Sequence, residues 1–343
     1  MLSTLSTPTL LATLALCFAA PRAEELRFAP ADGDEASMKY ALAASLGVGD
    51  MSITVDGQDL SAQIPLDELA GKLSLELGVV DRFLETRDGR PLRFERRYVA
   101  SSSNLELAES KLARTDLFGV DGETIVFEWS KSQGAYVLAF KDGTGDESRL
   151  ELLSADMHLR SLLPGRELEV GATWQLEPQA LVPALLLGYD VATLGAAAGG
   201  EQGLAQSADE LAPLLDGLLA GFRARCEYVG SREENGRKLA EMKLAIESDG
   251  EVDLRDALRG LLTEQDSLGE LDLELRSATG QLRIRGTGSL LWDLDAGHAH
   301  SFELDSDIEL VARLDAAFSD EQGGEHSAAA EIELLAELAW KME

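Results

Sequence analysis

Cysteine is nearly absent, with Cys17 and Cys226 alone in 343 residues. If a leader is cut after Ala23, only Cys226 is left. A chain with one thiol has no internal disulfide, so its stability must come from a hydrophobic core. Positive charge is also scarce: 30 Lys and Arg stand against 62 Asp and Glu, for a net charge of −32, and only 8 of the 30 are lysine. A body this acidic is repelled by nucleic acid and by anionic lipid, which argues against either as partner. The arginine bias suits fixed ion pairs. The hydrophobic share of 45% is too high for a disordered polyanion, and the charged share of 27% is too high for a membrane-embedded bundle.

Catalytic motifs are missing as well. There is no G-x-S-x-G elbow, no H-E-x-x-H, no G-x-x-x-x-G-K-[ST], no C-x-x-C, and no G-x-G-x-x-G between a strand and a helix. No residue is assigned a catalytic role, and a non-enzymatic protein is the favoured reading. With 62 acids, carboxylate pairs discriminate nothing, so a carboxylate-based hydrolase stands only as a further alternative.

The apolar run Leu10 to Ala20 is followed by Pro21-Arg22-Ala23 and the acidic Glu24-Glu25. Its length is that of a signal-peptide core and falls short of the roughly 20 residues that span a bilayer. The expectation is a signal peptide over 1–23, cleavage after Ala23, and a periplasmic or secreted protein that is not integral to the membrane. Leu16 before Cys17 disfavours lipidation there.

Beyond residue 23 the dominant pattern has period two. Phe302, Leu304, Ile308, Leu310, Ala312 and Leu314 alternate with Glu303, Asp305, Asp307, Glu309 and Arg313. The same alternation runs through Leu271-Leu273-Leu275, Leu290-Trp292-Leu294, Met242-Leu244-Ile246, Ile125-Phe127-Trp129 and Met38-Tyr40-Leu42. Such stretches are half-exposed antiparallel strands, since a parallel sheet covered on both sides reads as unbroken apolar runs. Asp88-Gly89 and Asn235-Gly236 supply hairpin turns. The predicted fold is α+β and mainly β, with long antiparallel strands in one or two curved sheets or half-barrels and a few short covering helices. Helices are expected over 149–163, 178–187, 207–219 and 254–262, and a strand over 327–343. The predicted organisation is an N-terminal β block over 24–165, a helical and apolar connector over 166–220, and a C-terminal β block over 221–343. Gly286-Thr287-Gly288 reads as a bulge.

Within this frame, Ala180 to Gly200 carries a single charge, Asp190, and reads either as a lid over the hollow of the sheet or as a helix packed into it. A concave face lined by Trp129, Trp174, Trp292 and Phe302 is the candidate site for an apolar small molecule or a partner protein. Arg96 shares a face with Leu92, Phe94 and Tyr98, so it must either pair with a carboxylate or border a cavity. It lies in an arginine-rich hairpin with Arg82, Arg87, Arg90, Arg93 and Arg97. Asp293, Asp295, His298 and His300 form the metal candidate, two carboxylates and two imidazoles on one hairpin, with a solvated turn as the other reading. No cofactor is expected; an ion held here would be calcium on the oxygens, or zinc or copper on the nitrogens. Cys226 is in phase with Phe222 and Tyr228 and should point inward, while His158 and His326 stand apart from any motif.

The stretch Leu163-Pro164-Gly165-Arg166 through Val170-Gly171-Ala172-Thr173-Trp174 resembles a Val-Gly-x-x-Trp phrase of uncharacterised exported bacterial β-rich proteins. The hairpin from Val80-Asp81-Arg82 to Arg90-Pro91 is similar to a second such phrase. The resemblance implies an exported β protein and assigns no catalytic residue. In architecture alone the pattern resembles periplasmic lipoprotein-carrier half-barrels. The favoured function is therefore an exported binding or carrier protein. The alternative is an acidic cell-envelope protein that holds divalent cations.

Overall fold

The computed structural model describes residues 23–64, 66, 70–107, 110–178, 181, 221–255, 272–319 and 324–343. The expected signal peptide, most of the 180–200 stretch, and most of the helices expected over 178–187, 207–219 and 254–262 lie outside these residues.

Strands dominate. Following the short β1 (Glu24–Glu25), β2 (Glu35–Val55) leads through β3 (Gln58–Asp59) into the hairpin of β4 (Gly71–Arg87) and β5 (Arg90–Leu107). Asp88 and Gly89 turn that hairpin with φ of 51° and 72°, the left-handed pair that matches strand twist. The short strands β6 (Ser110–Thr115), β7 (Thr124–Ser130) and β8 (Ala135–Phe140) complete the first block, and β9 (Glu167–Leu168) and β10 (Thr173–Leu176) precede the second. That block is a meander of β11 (Arg223–Glu234), β12 (Arg237–Asp253), β13 (Asp272–Asp293), β14 (His298–Ser319) and β15 (Glu325–Met342). β13 and β14 each run 22 residues, far beyond the usual five or six or so. The strand expected at the C-terminal end is β15.

The two blocks are halves of one sheet. β15 pairs antiparallel with β2, Trp340 opposite Leu42 and Met342 opposite Tyr40, and the strand order is β10-β11-β12-β13-β14-β15-β2-β4-β5-β7-β8. With β3 and β6 attached at its margins this is a thirteen-stranded sheet, and it is open, because β10 and β8 do not meet. β1 and β9 form a separate two-stranded pair. One hydrophobic cluster draws on both blocks, with Tyr40, Phe83 and Phe127 from one and Tyr228, Leu290 and Trp340 from the other. The sequence divides into two blocks because each meander is locally complete. The edge-to-edge joining is a long-range pairing that no local signal encodes.

The sheet bends around the N-terminal segment. Phe28 stands 5.5 Å from Phe83 on β4 and 6.5 Å from Trp292 on β13, ring centre to ring centre. Four pairings separate those strands, about 19 Å if the sheet were flat. The segment from Glu147 to Leu163 covers the same concavity. It forms two short 3-10 turns, Glu147–Leu152 and Arg160–Leu162, instead of the expected helix. Its buried Leu153, Met157, Leu159 and Leu162 dock on the sheet at irregular spacing, and Leu159 takes a left-handed φ of 57° that a helix does not contain.

Gly286 and Gly288 do not form a bulge; the register runs through them unbroken, opposite Ser306 and Leu304. They permit close approach instead. A Cβ on Gly286 would overlap Ser306 Oγ and stand 2.7 Å from Ile246 Cγ1, whereas one on Gly47 would meet nothing within 4 Å. Gly286→Ala should therefore lower the free energy of unfolding in urea by about 1–3 kcal/mol. Gly47→Ala should change it by less than about 0.5 kcal/mol.

Candidate functional site

Because paired residues share a face, the register can be read across the sheet row by row. One row runs Leu290, Phe302, Met342, Tyr40 and Leu77, and every member is buried. Further along the strands the same face carries Ile284, Ile308, Ala336, Leu46, Gly71 and Leu107 in register. There Ile308 and Ala336 are only half-buried, and Leu46 and Leu107 are 40% and 43% exposed. The next row, Leu282, Leu310, Leu334 and Val48, continues the apolar surface. So one face is apolar along its whole length, packed by the chain's own segments at one end and accessible at the other.

The opposite face is charged. Arg285, Asp307, Glu337, Ser45, Lys72 and Glu106 form a row across the same six strands and line a trough of about 720 Å³. Arg283 pairs there with Glu309 at 2.7 Å.

At the packed end the apolar face carries two ionisable side chains, and the segment that covers it brings a third, His158. Asp81 on β4, Arg96 on β5 and Ile125 on β7 lie in one row, and Asp81 and Arg96 are both 0% exposed. Arg96 Nε and Nη2 donate to the two oxygens of Asp81, each at 2.7 Å, while Nη1 donates to the Ser154 carbonyl and to Met157 Sδ, both at 2.9 Å. This bidentate pairing is what allows the charges to be buried. Burial by itself would raise the Asp81 pKa, but the guanidinium beside it prevails and holds the carboxyl at about 2. His158 Nε2 lies 2.6 Å from Asp81 Oδ2. Burial lowers the imidazole's pKa against the pull of Asp81, so the ring is neutral. Because the ionised carboxylate can only accept, Nε2 carries the proton and donates it to Asp81. His158 Nδ1 is buried with no protein partner, and the rings of Phe28, Phe83 and Phe94 stand 5.1, 5.3 and 5.4 Å from the imidazole. Tyr40 OH donates to the Met157 carbonyl at 3.0 Å.

Trp129, Trp174, Trp292 and Phe302 share the apolar face, and the chain's own segments cover two of them. Trp292 and Phe302 are 0% and 1% exposed, enclosed by the chain's own side chains, with no surface left for a ligand. Trp174 is half-buried and donates its indole N–H to the Leu162 carbonyl at 3.0 Å. Trp129 lies under the Arg90 guanidinium, 3.9 Å from ring centre, and against Tyr136. Arg96 takes the carboxylate-paired alternative. Sequence reading missed the other two members of its cluster. Asp81 was legible as an acid in phase with Val79 and Phe83 on an apolar face, but His158, in an irregular segment, gave no pattern.

The candidate metal residues share the β13–β14 hairpin. Asp293 Oδ1 accepts from the backbone N–H groups of Asp295 and Ala296, at 3.0 and 2.8 Å, so it braces the turn. Its other oxygen faces Arg237 Nη1 at 3.8 Å, and Arg237 also lies 3.2 Å from His300 Nδ1. His298 Nδ1 is 2.8 Å from the Ala299 carbonyl. A guanidinium thus occupies the ground between Asp293 and His300. Among the described residues no three His, Cys, Asp or Glu are grouped to hold a metal ion. Cys226 points inward as expected, and burial pushes its thiol up to about 12.

Asp81→Asn should cost about 3–5 kcal/mol in urea unfolding at pH 7, because it leaves the Arg96 charge buried without its counterion. The double variant Asp81→Leu/Arg96→Met should lose less than either single change. Since the folded pKa of Asp81 is depressed to about 2, its stabilisation is full above the unfolded value near ~4 and is lost as pH falls toward 2. Acid titration followed by circular dichroism should show that step in the natural protein and not in Asp81→Asn.

No protein-family model and no curated protein matches the chain. Among solved structures, a five-fold mutant of the Rhodopseudomonas blastica porin aligns over 89% of this chain and 100% of its own at 8% identity, with a TM-score of 0.13. OpdK of Pseudomonas aeruginosa, solved with vanillate, aligns over 88% of this chain and 98% of its own at 8% identity, with a TM-score of 0.12. Scores this low carry nothing about fold or function. Among the described residues no helix is long and apolar enough to cross a membrane, which leaves strands unaddressed.

Proposed function

We propose that the chain is an exported, non-enzymatic binding protein that carries an apolar small molecule on the accessible half of its apolar sheet face. The observation behind this reading is the register row from Ile284 to Leu107, apolar across six strands with Leu46 and Leu107 40% and 43% exposed. Six strands span about 24 Å, long enough for an extended acyl chain or a fused ring system. Contiguous exposed apolar surface of this kind marks a binding site more often than scattered single residues do. The net charge of −32 favours a neutral or cationic amphiphile over a fatty acid anion. Export rests on the leading sequence with its Leu10 to Ala20 run.

The test is fluorescence titration of the mature protein with neutral N-phenyl-1-naphthylamine, alongside native mass spectrometry for co-purified lipid. Saturable binding is expected, and Ile308→Glu and Leu334→Glu should each weaken it at least about tenfold with an unchanged far-UV spectrum. The reading is overturned if the probe does not bind and no lipid accompanies the protein, or if both variants bind as the natural chain does.

A further inference from the structure

The segment from Asp146 to Leu163 is held to the sheet in an unusual way. Its own regular backbone bonding is limited to two 3-10 turns, and Leu159 sits at a left-handed φ of 57°. Four polar contacts from three strands converge on residues 154–158. Tyr40 of β2 reaches the Met157 carbonyl, Arg96 of β5 reaches the Ser154 carbonyl and Met157 Sδ, and Asp81 of β4 accepts from His158. The Trp174 indole on the Leu162 carbonyl and the buried Leu153, Leu159 and Leu162 hold the rest of the segment, which shares no strand pairing with the sheet and so opens locally at a lower free energy than the strands beneath it.

That attachment contains one imidazole, a group whose ordinary pKa in water is about 6.5. The charged groups acting on His158 are Asp81 from β4, Arg96 from β5 and Asp156 from the segment itself, while Tyr40 of β2 and Tyr98 of β5 act on the Asp81–Arg96 pair. The apolar walls are Phe28, Phe83 and Phe94. In the attached state the single carboxylate of Asp81 already neutralises Arg96. A proton on His158 Nδ1 would add a second buried cation to that carboxylate, with its new N–H enclosed by aromatic rings and unable to donate. Once the segment is released, the imidazole is in water and takes the proton at its ordinary value, about 6.5.

We propose that Asp81, Arg96 and His158 form an acid-released latch, in which protonation of His158 frees the strap 146–163 from the sheet while the sheet stays folded. Release would uncover Tyr40, Phe83, Phe94 and Tyr98, which belong to the same apolar face, and so enlarge the accessible half. The latch does not depend on what that half binds. The sign follows from linkage: the open state binds one more proton than the latched state, so opening gains about tenfold for each pH unit below about 6.5, until His158 protonates within the latched state too.

The experiment is hydrogen–deuterium exchange of the full chain between pH 8 and pH 5, corrected for the intrinsic pH dependence of exchange. Peptides from 146–163 should lose protection about tenfold per unit below pH 6.5, while those from β12 to β15 keep theirs. In His158→Phe, which retains ring packing and leaves the Asp81–Arg96 pair in place, strap protection should become independent of pH over this range. Should that variant not fold, His158→Gln, an uncharged donor toward Asp81, is measured instead with the same expectation. The proposal fails if the natural strap shows no pH dependence, if the variant retains it, or if strap and sheet lose protection together.

Discussion

A sheet of thirteen strands with one apolar face has to cover that face, and the rest of the structure answers to this constraint. Among the described residues the covering is concentrated at one end. Phe28 and the segment from Leu153 to Leu162 fill the concavity where β4 and β13 bend toward each other, and there the rows are buried from Leu290 to Leu77. Farther along the strands the same alternation continues, while burial falls away at Leu46 and Leu107. The boundary between the filled and accessible zones is therefore set by what lies over the strands. The strands themselves do not change composition there.

The filling material explains the buried charges. Residues 154–158 bring backbone carbonyls into the core without strand or helix partners, and buried carbonyls need donors. Arg96 and Tyr40 provide them, and Asp81 balances the guanidinium. Such a pair adds little net stability compared with apolar residues, but it fixes where the segment sits. His158 completes the carboxylate's bonding and leaves its Nδ1 buried without a protein partner.

Acidity is distributed by the same alternation. On β14, Glu303, Asp305, Asp307 and Glu309 all take the face opposite Phe302, Leu304 and Ile308. The negative charge is thus largely the solvated side of the sheet. The arginines of the β4–β5 hairpin are counterweights, Arg93 facing Glu128 and Arg96 buried on Asp81.

Much of the fold was legible in sequence, because alternation, hairpin dipeptides and strand length are local properties. They identify the antiparallel strands, the Asp88-Gly89 turn, the strand at the C-terminal end, and Arg96 as a residue requiring a partner. Four things depended on tertiary structure: the pairing of β15 with β2, the closeness of Gly286 to Ser306 and Ile246, the enclosure of Trp292 and Phe302, and the meeting of Asp81 with His158 across 77 positions. Each is a contact between segments distant in sequence. Period two tells which face a side chain takes, but not which strand will lie beside it or which segment will cover it.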